Sequence, residues 1–120
     1  SQLLPKFKNK ISGMAMNVPV ANGSCVDLTT EMSFMPSIEE VNNAFKVASE
    51  NELVDLIRYT EDPIVSSDAI GGGETMVFDS KATMIASNKL LKTIAWFDNG
   101  WGFANRILEL SESYNELESN

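Results

Sequence analysis

Apolar residues fall at every second position in two early segments of the chain. Met14, Met16 and Val18 share one face of Ile11–Val20. Val26, Leu28, Met32 and Phe34 alternate with Cys25, Asp27, Thr29, Glu31 and Ser33, the period-2 signature of a strand with one buried face. Asn22-Gly23 lies between the two segments and tolerates the positive φ of a tight turn. The pattern therefore predicts a hairpin of Met14–Val20 with Ser24–Phe34. The period then lengthens. Ile38, Val41, Phe45 and Ala48 recur at helical spacing behind Ser37-x-x-Glu40, a capping box. Leu56–Thr60 reads as a strand stopped by Glu61-Asp62-Pro63. Gly71-Gly72-Gly73 separates Ile64–Ala69 from Thr75–Phe78, and Ser87-Asn88-Lys89 separates Thr83–Ala86 from Leu90–Phe97. Both arrangements predict hairpins. Phe103, Ile107, Leu110, Tyr114 and Leu117 form a final helical stripe. Glu109, Glu112, Glu116 and Glu118 crowd its tail, where acids oppose the macrodipole, so fraying is expected beyond Ser113. Strand pairs with one mid-chain and one C-terminal helix make an α+β fold with a mainly antiparallel sheet.

Length and charge narrow the function. The 120 residues suit one domain over 1–120, and an apolar content of 43% can supply its core. Nine basic against 17 acidic residues leave a net charge of −8, which disfavours a nucleic-acid partner. The longest unbroken apolar run is the four residues Ile94–Phe97, against about 20 needed to span a bilayer, so no membrane partner is expected. Ser1–Lys10 has three lysines but no apolar stretch before a cleavage site, so no signal peptide is expected. The chain opens without an initiator methionine, which suggests a fragment or a processed product. A single cysteine excludes an internal disulfide and any CxxC knuckle, and suits a reducing cytoplasm. There is no histidine. The usual general base, the usual zinc ligand and any Ser–His or Cys–His pair are thereby removed.

Few motifs carry chemistry. The triple glycine leads into Glu74-Thr75-Met76-Val77-Phe78, a strand pattern without the lysine of a phosphate-cradling loop, and reads as a flexible turn. Cys25 sits on the polar side of its strand beside Asp27, with no base to activate it, and reads as structural. Carboxylate pairs such as Glu39/Glu40 and Glu61/Asp62 read as solvated faces. The calcium-loop pattern is absent, and no metal site is expected. Trp96-Phe97-Asp98-Asn99-Gly100-Trp101-Gly102-Phe103-Ala104-Asn105-Arg106 is denser. Aromatic rings, amides and two glycines meet there at a strand-to-helix junction. Two readings stand: a ligand-facing junction, or an aromatic staple with an Asx-type cap.

At this motif the chain resembles the C-terminal part of the catalytic domain of phosphorylating glyceraldehyde-3-phosphate dehydrogenase, whose signature is W-Y-D-N-E-x-G-Y-[SA]-N-R. Leu4-Pro5 through Lys10-Ile11-Ser12-Gly13-Met14-Ala15 is similar to L-P-x-L-x-G-K-L-T-G-M-A. Asn17-Val18-Pro19-Val20 is similar to R-V-P-x, and Val26-Asp27-Leu28-Thr29 to V-D-L-T. Tyr59–Asp68 resembles Y-T-E-D-x-V-V-S-S-D, and Phe78-Asp79-Ser80-Lys81-Ala82 resembles F-D-A-K-A. The likeness is collinear and stops near Tyr114.

The resemblance implies a mixed sheet in a truncated C-terminal domain, part of a subunit whose N-terminal NAD-binding Rossmann half is missing here. It implies an aldehyde oxidation in which a cysteine thiolate attacks, a histidine assists, hydride passes to NAD and phosphate releases the acyl group. Both reactive residues belong upstream of the matched segment, so no catalytic residue is expected in these 120 residues and Cys25 does not match the nucleophile. The chain alone is expected to hold no cofactor; NAD belongs to the intact enzyme. Asn99 matches the asparagine that hydrogen-bonds the nicotinamide carboxamide, and Phe103 matches a tyrosine near that ring. Gly100 replaces the usual glutamate. Asn17 stands where the family commonly has a phosphate-binding arginine, and an asparagine supplies no charge. A cytoplasmic, homo-oligomeric glycolytic enzyme is implied. The alternatives are an erythrose-4-phosphate-type paralogue and a non-catalytic interaction domain. Apolar faces left bare by truncation are expected to make the chain self-associate.

Overall fold

The computed structural model describes residues 3–118. A short 3₁₀ turn, Pro5–Phe7, precedes an extended stretch without regular structure, and the first strand, β1, covers Ser24–Glu31. Helix α1 spans Ile38–Glu50, β2 Ile57–Thr60, β3 Met76–Ser87, β4 Leu90–Phe97 and helix α2 Trp101–Glu118. The strands form one sheet in the order β1-β4-β3-β2. The pairings of β4 with β1 and with β3 are antiparallel, and β2 with β3 is parallel. The fold is thus α+β with a mixed, mainly antiparallel sheet, as expected.

Helix α1 starts where its box predicts. Ser37 Oγ accepts from Glu40 N at 3.2 Å, and Ser37 N donates to Glu40 Oε2 at 2.7 Å. These bonds, the backbone one foremost, hold the Glu40 carboxyl below its ordinary pKa. The apolar stripe of α1 lies on one sheet face. Tyr59 pairs with Phe78, Phe78 with Ala95 and Ala95 with Val26, so one row crosses all four strands on that face. Phe45 stacks on Phe78 with ring centroids 3.8 Å apart. Phe78, only 1% exposed, centres the core under α1 with Val41, while Val77, the preceding residue of β3, is buried on the opposite face of the sheet. Toward β1 the cover ends, and Val26 and Leu28 stay exposed on both their row and their edge.

Two local expectations are corrected. Met14–Val20 makes no hairpin with β1, which pairs instead with β4. Asn22-Gly23 is engaged elsewhere: a Cβ at Gly23, whose φ is +88°, would come within 2.8 Å of Ser66 O, and the Asn22 side chain lies beside Asp98. The chain therefore enters β1 past Ser66 rather than folding back along it, and Met14 is left 81% exposed. The regular part of β1 also ends at Glu31 rather than Phe34. Next, Ile64–Ala69 and Thr75–Phe78 form no hairpin around the glycines. Ser66–Ala69 is a 3₁₀ turn, and Met76–Asp79 pair in parallel with β2, so the intervening residues are a crossover. Helix α2 extends to Glu118, and the fraying expected beyond Ser113 concerns its last turn. Leucine and glutamate are good helix formers, and a few exposed acids near the C-terminus oppose them by only a few tenths of a kcal/mol each. The hairpin of β3 with β4 around Asn88-Lys89 forms as expected.

Candidate functional site

The strand-to-helix junction is built around Asp98. This carboxylate is 8% exposed. Its Oδ1 accepts from Gly100 N and Trp101 N, each at 3.0 Å, capping α2. Its Oδ2 accepts from Gly71 N at 3.1 Å, and the Asn22 side chain lies near enough to the carboxylate to be the least of the causes that lower its pKa. Donors to the charged form lower a carboxyl pKa, so Asp98 lies below its ordinary value, with the Trp101 amide the largest cause and Gly71 next. Gly102 follows in the first helical turn. A Cβ there would sit 3.0 Å from Glu74 O, so glycine lets α2 pass close to the end of the crossover. Arg106 completes the junction one turn on. It donates to Gly73 O at 3.2 Å and Asp55 O at 3.4 Å and pairs with Glu109.

This packing opens a cleft of about 230 Å³ between the end of β4 and the start of α2. Phe97, Phe103, Gly102 and Thr75 give it mostly apolar walls, with Asp98, Asn99 and Arg106 as polar contributors. Asn99 and Phe103 are both exposed, and the helical turn between them brings amide and ring onto one cavity. The motif divides: Trp101 and Phe103 stand 56% and 67% exposed, whereas Trp96 and Phe97 at the end of β4 are half-buried, with Trp96 Nε1 donating to Asp79. The Asx-type cap is present. Asn17 is not among the cleft's lining residues and lies on the exposed segment before Asn22. Asp98 as the meeting point of Gly71 and Asn22 escaped the sequence reading, although the D-N-G pattern already signalled the cap.

Other candidates resolve into ordinary structure. A larger hollow of about 580 Å³ beside β2 is lined by Lys46, Arg58, Tyr59, Glu61 and Glu74. Its charges face one another: Arg58 lies 3.7 Å from Glu74, Lys46 lies 3.7 Å from Glu61, and the Lys46 ammonium stands 5.7 Å from the Tyr59 ring centre. Cys25 is an exposed free thiol. Partial desolvation first, then Asp27 and Asp79, push its pKa up, opposite to what a nucleophile needs. The residues around Asp79 depart from regular pairing because its Oδ1 accepts from Lys81 N and Ala82 N, while Oδ2 accepts from Trp96 Nε1. Among the described residues, no group of three or more His, Cys, Asp or Glu side chains could hold a metal ion, and no helix is long and apolar enough to cross a membrane.

Comparison with known proteins gives a consistent answer. The family model described as glyceraldehyde 3-phosphate dehydrogenase, C-terminal domain, matches residues 1–99. The chain is 46% identical over 109 residues to glyceraldehyde-3-phosphate dehydrogenase 2 of Streptomyces avermitilis, covering 91% of this chain and 32% of that protein. It is 40% identical over 109 residues to the glyceraldehyde-3-phosphate dehydrogenase of Geobacillus stearothermophilus, again covering 91% and 32%. With the enzyme of Cochliobolus heterostrophus the identity is 39% over 119 residues, covering 99% of this chain and 35% of the relative. The chain thus spans about a third of the length of these relatives. Its sheet, its two helices and its junction motif have the same explanation: the chain belongs to the glyceraldehyde 3-phosphate dehydrogenase C-terminal domain family.

Proposed function

We propose that these residues are part of the catalytic domain of an NAD-dependent oxidoreductase of the glyceraldehyde-3-phosphate dehydrogenase type, a homo-oligomer acting in cytoplasmic glycolysis. The observation that carries this reading is the shared cleft of Asn99 and Phe103. A carboxamide can donate and accept at once, which suits recognition of another carboxamide. The Phe97 and Phe103 rings offer the flat apolar wall that a nicotinamide ring requires. The residues therefore fit the group: Asn99 would hold its amide and Phe103 would border its ring. When bound, the nicotinamide supplies a hydride acceptor. The chain's own contribution is to orient that acceptor and shield one side of it from water.

The thiol nucleophile and its base would come from the Rossmann-bearing remainder of the full-length enzyme. These 120 residues contain no histidine, and their single thiol has a raised pKa. The isolated chain is expected to form no NADH from an aldehyde. Turnover above a blank would overturn that assignment. In the full-length enzyme, Asn99→Ala is expected to raise the KM for NAD about tenfold, the scale of one lost hydrogen-bonding group that leaves its partner unpaired. An unchanged KM would remove Asn99 from the cofactor site.

Asn17 favours a second reading of the substrate. It stands where the family's phosphate-binding arginine is expected, and its side chain brings no positive charge. A different acyl acceptor or a different phosphorylated aldehyde, such as erythrose 4-phosphate, accommodates that exchange. Rates of the full-length enzyme on the two aldehydes, with and without inorganic phosphate, separate these substrates.

A further inference from the structure

Asp98 does more than a helix cap requires. Capping α2 engages one oxygen, Oδ1, with the amides of Gly100 and Trp101. A serine, threonine or asparagine could supply that single acceptor equally well. The second oxygen accepts from Gly71 N, 27 residues away in the chain. The side chain of Asn22, on the segment that passes Ser66 into β1, lies beside the same carboxylate. The same glycine loop is gripped again at its other end, where Gly73 O accepts from Arg106. Gly71 has φ +75° and open space where a Cβ would sit, and the ties of Gly71 N to Asp98 and of Gly73 O to Arg106 hold the loop from both ends. Asn99 is the residue immediately after this knot, and it lines the cleft.

We propose that Asp98 is a positioning residue, which fixes Asn99 at the cofactor cleft by joining the Gly71 loop to the first turn of α2. The proposal rests on the reading of that cleft as the nicotinamide site. Its chemistry is specific to a carboxylate. Only a carboxylate offers two acceptor oxygens; an asparagine keeps one for the cap and turns an NH₂ donor toward another N–H. Asp98→Asn thus separates capping from cross-linking.

The test uses the full-length enzyme and NAD as the probe, with binding followed by calorimetry and the backbone by hydrogen exchange. Asp98→Asn is expected to weaken NAD binding about tenfold, the scale of one lost hydrogen bond to a charged group. Exchange at Gly71–Gly73 should accelerate, while kcat at saturating NAD stays within about threefold, the split expected when only binding geometry is lost. Unchanged NAD affinity in Asp98→Asn, beside a wild-type enzyme that binds NAD, overturns the positioning role and leaves the proposed function standing. A wild-type enzyme that binds no NAD overturns both. If Asp98→Asn does not fold, Asp98→Ser keeps one acceptor for the cap of α2 without the second oxygen for Gly71 and is expected to weaken NAD binding about tenfold; equal affinity there overturns the proposal.

Discussion

Helices α1 and α2 have similar apolar periodicity and opposite fates. In α1, Val41 is buried and Phe45 stacks on Phe78. In α2, Phe103, Ile107, Leu110, Tyr114 and Leu117 all remain exposed. The shorter helix is therefore held by packing, whereas the longer one is held at its first turns by Asp98 and Arg106. The contrast teaches that a stripe specifies an element and the face it must cover, but not that the cover lies within the same 120 residues. Stability should consequently concentrate under α1, and function should concentrate at the start of α2.

Removing the centre of the packed half should have the largest effect. Phe78→Ala deletes a ring that is 1% exposed and lies between Phe45, Tyr59 and the sheet. A loss of about 3–5 kcal/mol is expected in denaturant unfolding, the range for buried phenylalanine truncations. A loss below about 1 kcal/mol would mean that α1 does not carry the core.

Acid should erode the two helix starts next. Glu40 and Asp98 both have pKa values held below their ordinary 4.5 and 3.8. A depressed folded-state pKa means that the unfolded chain binds more protons in that range. The stabilisation is thus complete above the ordinary values and is lost as pH falls through the folded ones. Thermal midpoints of the wild type should fall steadily below about pH 4.5. Glu40→Gln and Asp98→Asn should each start lower at neutral pH and show a shallower decline in acid. Parallel curves for wild type and variants would show that these bonds contribute nothing to the acid limb.

What the sequence makes legible follows from distance along the chain. Ser37 and Glu40 are three residues apart, and their reciprocal bonds form as their spacing predicts. The turn at Asn88-Lys89 and the helical turn between Asn99 and Phe103 are equally local. Long-range choices are not encoded in a period. Met76–Asp79 has the same alternation whether it pairs in a hairpin or in parallel with β2, and only the position of β2 beside it decides. Asn22-Gly23 looks like a hairpin turn because its local preference is real, yet Ser66 and Asp98 claim it. Asp98 was legible as a cap and illegible as a junction, since Gly71 becomes its partner only after the crossover is folded.

The capping box of α1 gives a smaller, local test. Ser37→Ala removes the acceptor of Glu40 N and should cost about 1 kcal/mol in denaturant unfolding. The loss should appear in unfolding while cofactor binding by the full-length enzyme is untouched, because Ser37 lies on the α1 side and outside the cleft.

The smallest expected effect on folding lies on α2. Leu110 is 58% exposed in the middle of the bare stripe. Leu110→Lys keeps a good helix former and adds a cation in the C-terminal half, where the helix dipole favours it. Its unfolding free energy in the 120-residue chain should stay within about 0.5 kcal/mol of wild type, as for other exposed positions. Association should respond differently. A contiguous apolar stripe on water promotes self-contact, and a charge at its centre opposes desolvation of the stripe. Light scattering at high concentration should find the wild-type chain above its monomer mass of 13.2 kDa, and Leu110→Lys closer to it. Equal masses would locate the adhesive surface elsewhere, with the exposed Val26 and Leu28 of β1 as the next place to charge. A large loss of folding stability in Leu110→Lys would instead show that the stripe already packs against its own chain, and the contrast between the two helices would disappear.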